Sequence, residues 1–246
     1  MTLAELAIHI PASIELFEKY NFNYYQNGSQ KFKDACEEKG LIFSEIDAEL
    51  NQLQKLSKTN TMLTLEDMSV DRLIDFINGQ HHANESEILN SIYEKIKYLI
   101  NVGHKNQLTQ LILKEVELKF NDLKSKLLKH CDNEDKIIFP HMRKLYELRH
   151  DKKSIHELNL NTKIEKTLEL LGSEHIQAIR LLSDIKKITD NFSIQNSVSK
   201  EYEQLMMALK DFSFDFHLHL HIENNILFPK FLELEEELSE KNGINI

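Results

Sequence analysis

The chain has 246 residues, 41% of them apolar and 28% charged, with a formal net charge of −10. That is enough for one large domain, or a small one plus a medium one, with a genuine core. The acidic balance argues against nucleic acid, whose affinity rests on Lys and Arg meeting phosphates, and no apolar run approaches the roughly 20 residues of a membrane span.

Six Gly and three Pro are few for this length, so a mostly helical chain is expected. Residues 1–57 read as a small domain of short helices. "LAELAIHI" is followed by Pro11, which suits the first turn of a helix over "ASIELFEKY". Asn27-Gly28 marks a turn. "SQKFKDACEEKG" has Gly40 as its C-terminal stop, and Ser44 with Asp47 is placed to cap "EIDAELNQLQKL". The polar, weakly hydrophobic "SKTNTMLT" over 57–64 reads as a linker.

From residue 67 to 246 four long periodic segments follow. Three keep a 3,4 spacing of apolar residues. One seam is Val116, Phe120, Leu123, Leu127, His130, Glu134 and Ile137. Another is Ile164, Leu168, Leu171, His175, Ala178, Leu182 and Ile185, continuous through Gly172. The last is Tyr202, Leu205, Leu209, Phe212, Phe216, His219, Glu223 and Ile226. The first segment, about 70–101, places His82 on the face of Leu89, Ile92, Ile96 and Leu99. The connections at 101–106, 149–160 and 190–199 are polar. The fold class expected is all-α, with the four amphipathic helices packed up-down-up-down as a bundle.

Each seam is apolar except where His, or His and Glu, interrupts it. His82, His130, His175 and His219 fall one per helix at near-even intervals, so antiparallel packing brings them to a similar height. Two interruptions belong to a repeat. "HCDNEDKIIFP" from His130 to Pro140 aligns without a gap on "HLHIENNILFP" from His219 to Pro229. Each copy carries His and, one helical turn on, Glu on the same face. The Phe-Pro ends are read as structural, with Pro ending or kinking each helix.

Four imidazoles and two carboxylates in an apolar core are costly without partners. Two metal ions answer for all six. Glu134 and Glu223 would bridge them, each ion would take two histidines, and room would remain for an oxo or hydroxo bridge and a small ligand. Imidazole with carboxylate suits iron, with manganese or zinc less favoured. The competing explanation, core histidines satisfied by water or backbone, fits one seam histidine better than four with a repeated Glu. His9, His104, His150 and His156 are read as surface or loop residues, and Cys131 as a small packing residue. His81, His217 and His221 point to other faces, where solvation is favoured over hydrogen-bonding a ligand or lining an entry path. Glu174, beside His175, is a candidate to hydrogen-bond a ligand. Cys36 and Cys131 are too few for a disulfide framework and suit a reducing cytoplasm. The N-terminus has no basic segment followed by an apolar one, so no signal peptide is expected.

These motifs resemble the hemerythrin-like bundle proteins, and within them the di-iron "repair of iron centres" family. The matching stretches are "HCDNEDKIIFP", "HLHIENNILFP", "SEHIQAIRLL", "GQHHANESEIL" and the N-terminal "LAELAIHIPASIELFEKYNFNYY". The resemblance implies a small helical domain before a di-iron hemerythrin-like bundle, with iron ligands His82, His130, Glu134, His175, His219 and Glu223. It also implies repair of iron–sulfur clusters damaged by nitric oxide or oxidants, with damaged iron–sulfur proteins and a diatomic ligand (NO or O2) as partners. That family carries an adjacent cysteine pair after its "Phe-x-Tyr" stretch; "NYYQNGSQ" has Tyr25 and Gln26 there. Residues 1–57 are therefore expected to be a scaffold, for partner binding or homodimerisation, without thiol chemistry. Oxygen-carrying hemerythrins use five histidines. The obvious fifth, His141, lies about two turns beyond Glu134. Alternatives to a repair function, with or without nitric oxide reduction, are a sensor or iron reservoir without turnover and a helical interaction protein whose site has lapsed.

Overall fold

Helical periodicity with few breakers gives a chain that is helical over most of the residues described by the computed structural model, 1–56, 65–103, 106–151, 164–194 and 199–242. Among them no strand forms; an isolated antiparallel bridge joins Thr2 and Lys31. The helices are α1 (Leu3–His9), α2 (Ala12–Lys19), α3 (Phe32–Glu38), α4 (Phe43–Leu56), α5 (Val70–Ile77), α6 (Ala83–Val102), α7 (Gln107–Asn133), α8 (Phe139–Asp151), α9 (Ile164–Ile188), α10 (Lys200–Ile222) and α11 (Phe228–Asn242). The expected linker at 57–64, and His104 and His156, lie outside the described residues.

The contacts divide the chain into two units: residues 1–74 with 217–237, and residues 75–216 with 238–246. In the first, the local signals at α1, α2 and α3 act as expected. Thr2 and Glu5 form a reciprocal capping box on α1. Pro11 directly precedes α2, and Gly40 takes a left-handed φ of 67° just past α3. Helix α4 starts at Phe43, one residue before Ser44, so Ser44 sits inside its first turn. The core of this unit is aromatic: Phe17 lies 5.7 Å from Phe22, 5.6 Å from Tyr24 and 5.9 Å from Phe32, ring centre to ring centre. Leu218, near the end of α10, packs against this cluster.

The second unit is a helical bundle. Helix α7 packs along both α6 and α9, and Phe120 on α7 meets Phe212 on α10 edge-on at 6.3 Å. The seams are buried as expected: Leu89, Ile96, Val116, Phe120, Leu123, Ile185, Leu205 and Leu209 are all fully enclosed. Each such side chain contributes about 1.5–3 kcal/mol relative to exposure. Polar ties flank the apolar seam. Lys119 Nζ donates to Asp184 at 2.9 Å, and Lys126 Nζ to Gln177 at 3.1 Å.

Among the described residues three wide π turns interrupt the helices, at Asn78–His82, Glu134–Ile138 and Glu223–Leu227. The last two immediately precede Phe-Pro. Neither Pro140 nor Pro229 ends its helix, since α8 and α11 run on through them. Proline offers no N–H and crowds the carbonyl four residues back. In the wider turn, Phe139 N–H reaches back five residues to the Glu134 carbonyl, and Phe228 N–H likewise to Glu223, so the chain continues helically past the proline. One seam residue stands out of the seam here, although Ile226, its equivalent in the third π turn, is buried. Ile137 is 63% exposed, and Ile138 is buried in its place. A π turn adds a residue, which moves every later position round the helix by about 100°.

Candidate metal centre

The π turns coincide with the candidate ligands. His82 closes the first, Glu134 opens the second and Glu223 opens the third. Such turns are rare and recur at functional sites, because the extra residue re-aims a side chain at the price of regular helical bonding.

In the bundle unit, His82, His130, Glu134 and His175 come together. Glu134 is completely buried. Its Oε2 lies 3.5 Å from His82 Nε2 and 3.3 Å from His130 Nε2. The Nε2 atoms of His130 and His175 face each other at 2.9 Å. One ligand atom from each of His130, Glu134 and His175 falls within 4.8 Å of the others. All three histidine side chains are at most a few per cent exposed.

The outward nitrogens decide what the inward ones can do. His82 Nδ1 lies 2.8 Å from Asp135 Oδ1, and His130 Nδ1 lies 2.8 Å from Glu174 Oε2. A carboxylate accepts, so each Nδ1 donates outward, which leaves each Nε2, the nitrogen facing Glu134, as the one able to offer a lone pair to a cation. Carboxylates behind ligand histidines are a recurrent feature of metal sites, fixing tautomer and ring angle and raising basicity. Two such Nε2 atoms and a buried carboxylate converging on one space are the donor types a cation takes. These residues fit a metal ion.

In the other unit, His219 and Glu223 stand one turn apart at the end of α10. His219 Nε2 is 2.9 Å from Glu223 Oε1, with Glu223 0% and His219 3% exposed. It is the same His–Glu step as in the first copy of the repeat.

Several neighbouring residues were not expected in their roles. His81, His217 and His221 are buried, at 5%, 7% and 2% exposure, and not solvated. His81 Nδ1 lies 3.1 Å from Asp215, with its ring against Phe76. Burial holds His221 well below the ordinary imidazole range, at about 4, despite the Tyr24 carbonyl it donates to. Cys131 is buried and donates to Glu85 at 2.7 Å, a carboxylate the sequence did not single out. Asp135 was missed too, although an acid beside a seam glutamate is a readable signal. His141 is half-buried beyond the second π turn, and burial lowers its pKa. His9 is exposed, as expected.

Among the described residues no helix is long and apolar enough to cross a membrane. No family model matches the chain. It is 24% identical to a probable iron–sulfur cluster repair protein of Haemophilus influenzae, over 94% of this chain and 96% of that one. It is 22% identical to the iron–sulfur cluster repair protein ScdA of Staphylococcus haemolyticus, over 93% and 96%. Against the iron–sulfur cluster repair protein YtfE of an Enterobacter species the identity is 25%, over 94% and 96%. Along almost its whole length the chain is thus a distant relative of the iron–sulfur cluster repair proteins.

Proposed function

We propose that this chain is a cytoplasmic non-haem di-iron protein that repairs iron–sulfur clusters damaged by nitric oxide or oxidants. In this reading His82, His130, Glu134, His175, His219 and Glu223 would hold the iron. Residues 1–57 would form a small scaffold domain before the hemerythrin-like bundle at 67–246. The reading is carried by one observation: the buried His–Glu cluster, with Asp135 and Glu174 behind its imidazoles, in a chain related end to end to proteins named for cluster repair.

The gapless repeat supports extending the donor set to His219 and Glu223, which reproduce the His130–Glu134 step. Bound iron would supply a Lewis-acidic, redox-active pair able to take NO or O2. In this reading the chain's own residues would keep that space dry, turn the imidazole Nε2 atoms toward the ions, and balance their charge with two carboxylates. A damaged iron–sulfur protein would be the client.

The test is repair itself. A cluster enzyme inactivated by nitric oxide is incubated with the reduced, iron-loaded protein. Recovery of activity is expected, and it should fall away with Glu134→Ala. No recovery over the no-protein control would overturn the proposal.

A second reading is favoured by a particular observation. Tyr25 and Gln26 stand where the resembling family has its cysteine pair, and thiolates are the soft ligands suited to handling clusters. A sensor or reservoir for O2, NO or iron needs no thiol. Rapid reversible oxygen binding by the reduced protein, without any repair, would select it.

A further inference from the structure

His217 and His221 flank His219, and Asn224 and Asn225 follow Glu223. At about 100° per residue, positions 217, 221, 224 and 225 share one side of the helix, and His219 and Glu223 lie about 180° round on the other. The first side is gripped by a short N-terminal segment of the same compact unit.

Glu18 accepts from His217 Nδ1 at 2.7 Å and from the Tyr24 hydroxyl at 3.2 Å. The Tyr25 ring stacks on the His217 ring at 4.0 Å and 11°. The Tyr25 carbonyl accepts from Asn224 Nδ2, and the Tyr24 carbonyl from Asn225 Nδ2, each at 3.1 Å. Asn225 Nδ2 also lies 3.0 Å from His221 Nδ1. Donation there leaves the His221 proton on Nε2, free to bond the Tyr24 carbonyl. Gly28 completes the fit, because a Cβ there would lie 2.1 Å from Asn225 Oδ1. Tyr24 is 0% exposed.

We propose that Glu18, Tyr24, Tyr25 and Gly28 form a positioning clamp for His219 and Glu223. By fixing four residues on the back of the helix and its π turn, they set the angle at which the two ligands are presented from the front. The N-terminal segment thereby tunes the metal affinity of the His219–Glu223 half of the site, through aromatic stacking and amide bonds where the resembling family has thiols. This rests on the metal reading above. Orientation by groups behind the ligands typically changes metal affinity about 10–100-fold.

The experiment compares wild type, Tyr25→Leu, Glu18→Gln and the conservative Tyr25→Phe. Each is titrated anaerobically with Fe(II) and its Mössbauer spectrum recorded, with thermal unfolding of the metal-free proteins run beside them. Tyr25→Leu and Glu18→Gln should weaken one of the two binding steps about 10–100-fold and change one iron environment. Tyr25→Phe, which keeps the stacking ring, should stay at wild type. If Tyr25→Leu and Glu18→Gln bind two irons with wild-type affinity and spectrum, the clamp is overturned and the metal centre stands. If wild type takes up no iron, the metal reading falls and the clamp with it. If Tyr25→Phe is as impaired as Tyr25→Leu, ring stacking is not the cause and the clamp is overturned in this form.

Discussion

The two copies of the repeat share a backbone and differ in what covers them. Each sets His and Glu one turn apart, opens a π turn at the Glu, and resumes its helix at Phe-Pro. In the first copy the residues after Glu134 face solvent: Asp135, Lys136 and Ile137 are exposed, and Lys136 pairs with Asp132 on the same helix. In the second, the equivalents of Asp135 and Lys136 are Asn224 and Asn225. Both are half-buried and bonded to the carbonyls of Tyr25 and Tyr24. The His and Glu positions are identical in the two copies; the outward positions suit their surroundings, charge where water reaches and neutral amides where backbone carbonyls must be satisfied.

The comparison breaks most sharply at what is common to both copies. Glu134→Ala and Glu223→Ala should each lower bound metal and melting temperature together. At free metal a thousand-fold above Kd, binding stabilises the fold by about 4 kcal/mol, or roughly 10 °C in Tm for a chain of this size. Calorimetry with and without iron measures it, and an equal drop in the metal-free variants would show a packing defect instead.

The π turn comes next. Ile138→Ala should cost about 2–4 kcal/mol, as a large-to-small change at a buried site. Ile137→Ala should stay within about 0.5 kcal/mol. Denaturant unfolding of the pair reads the helical register directly, and the reverse order would place the seam where unbroken 3,4 spacing puts it.

Smaller again are the carboxylates behind the imidazoles. Asp135→Asn and Glu174→Gln should each weaken metal binding about 10–100-fold, with the metal-free fold little changed. Unchanged isotherms would mean that those acids do not orient His82 and His130.

The smallest effects are expected at the solvent face. Lys136→Ala and His9→Ala should move neither metal content nor stability by more than about 0.5 kcal/mol. A large loss at either would show that exposure misjudges the site.

Much of this was legible in the chain because it is local or periodic. Seam burial follows from the 3,4 spacing, and the His–Glu step from its duplication. Ile137 is exposed where the spacing expects burial, whereas Ile226 in the same kind of π turn is buried, so what covers each copy decides the outcome as well as the turn. Pro140 and Pro229 each follow a π turn, which lets the helix run on past a residue with no donor. Solvation is the favoured expectation for His217 and His221 because their cover comes from Glu18, Tyr24 and Tyr25, about two hundred residues away in sequence. No periodicity along α10 carries that information. Glu85 and Asp215, which meet Cys131 and His81, escaped for the same reason.

The central claim is that buried imidazoles and carboxylates hold a pair of metal ions. Anaerobic equilibrium dialysis against Fe(II), followed by iron and protein quantitation, tests it most directly. The account predicts about two irons per wild-type chain, and a clear loss in both Glu134→Ala and Glu223→Ala. A wild-type chain that retains no iron, or glutamate variants that retain as much as wild type, would contradict it.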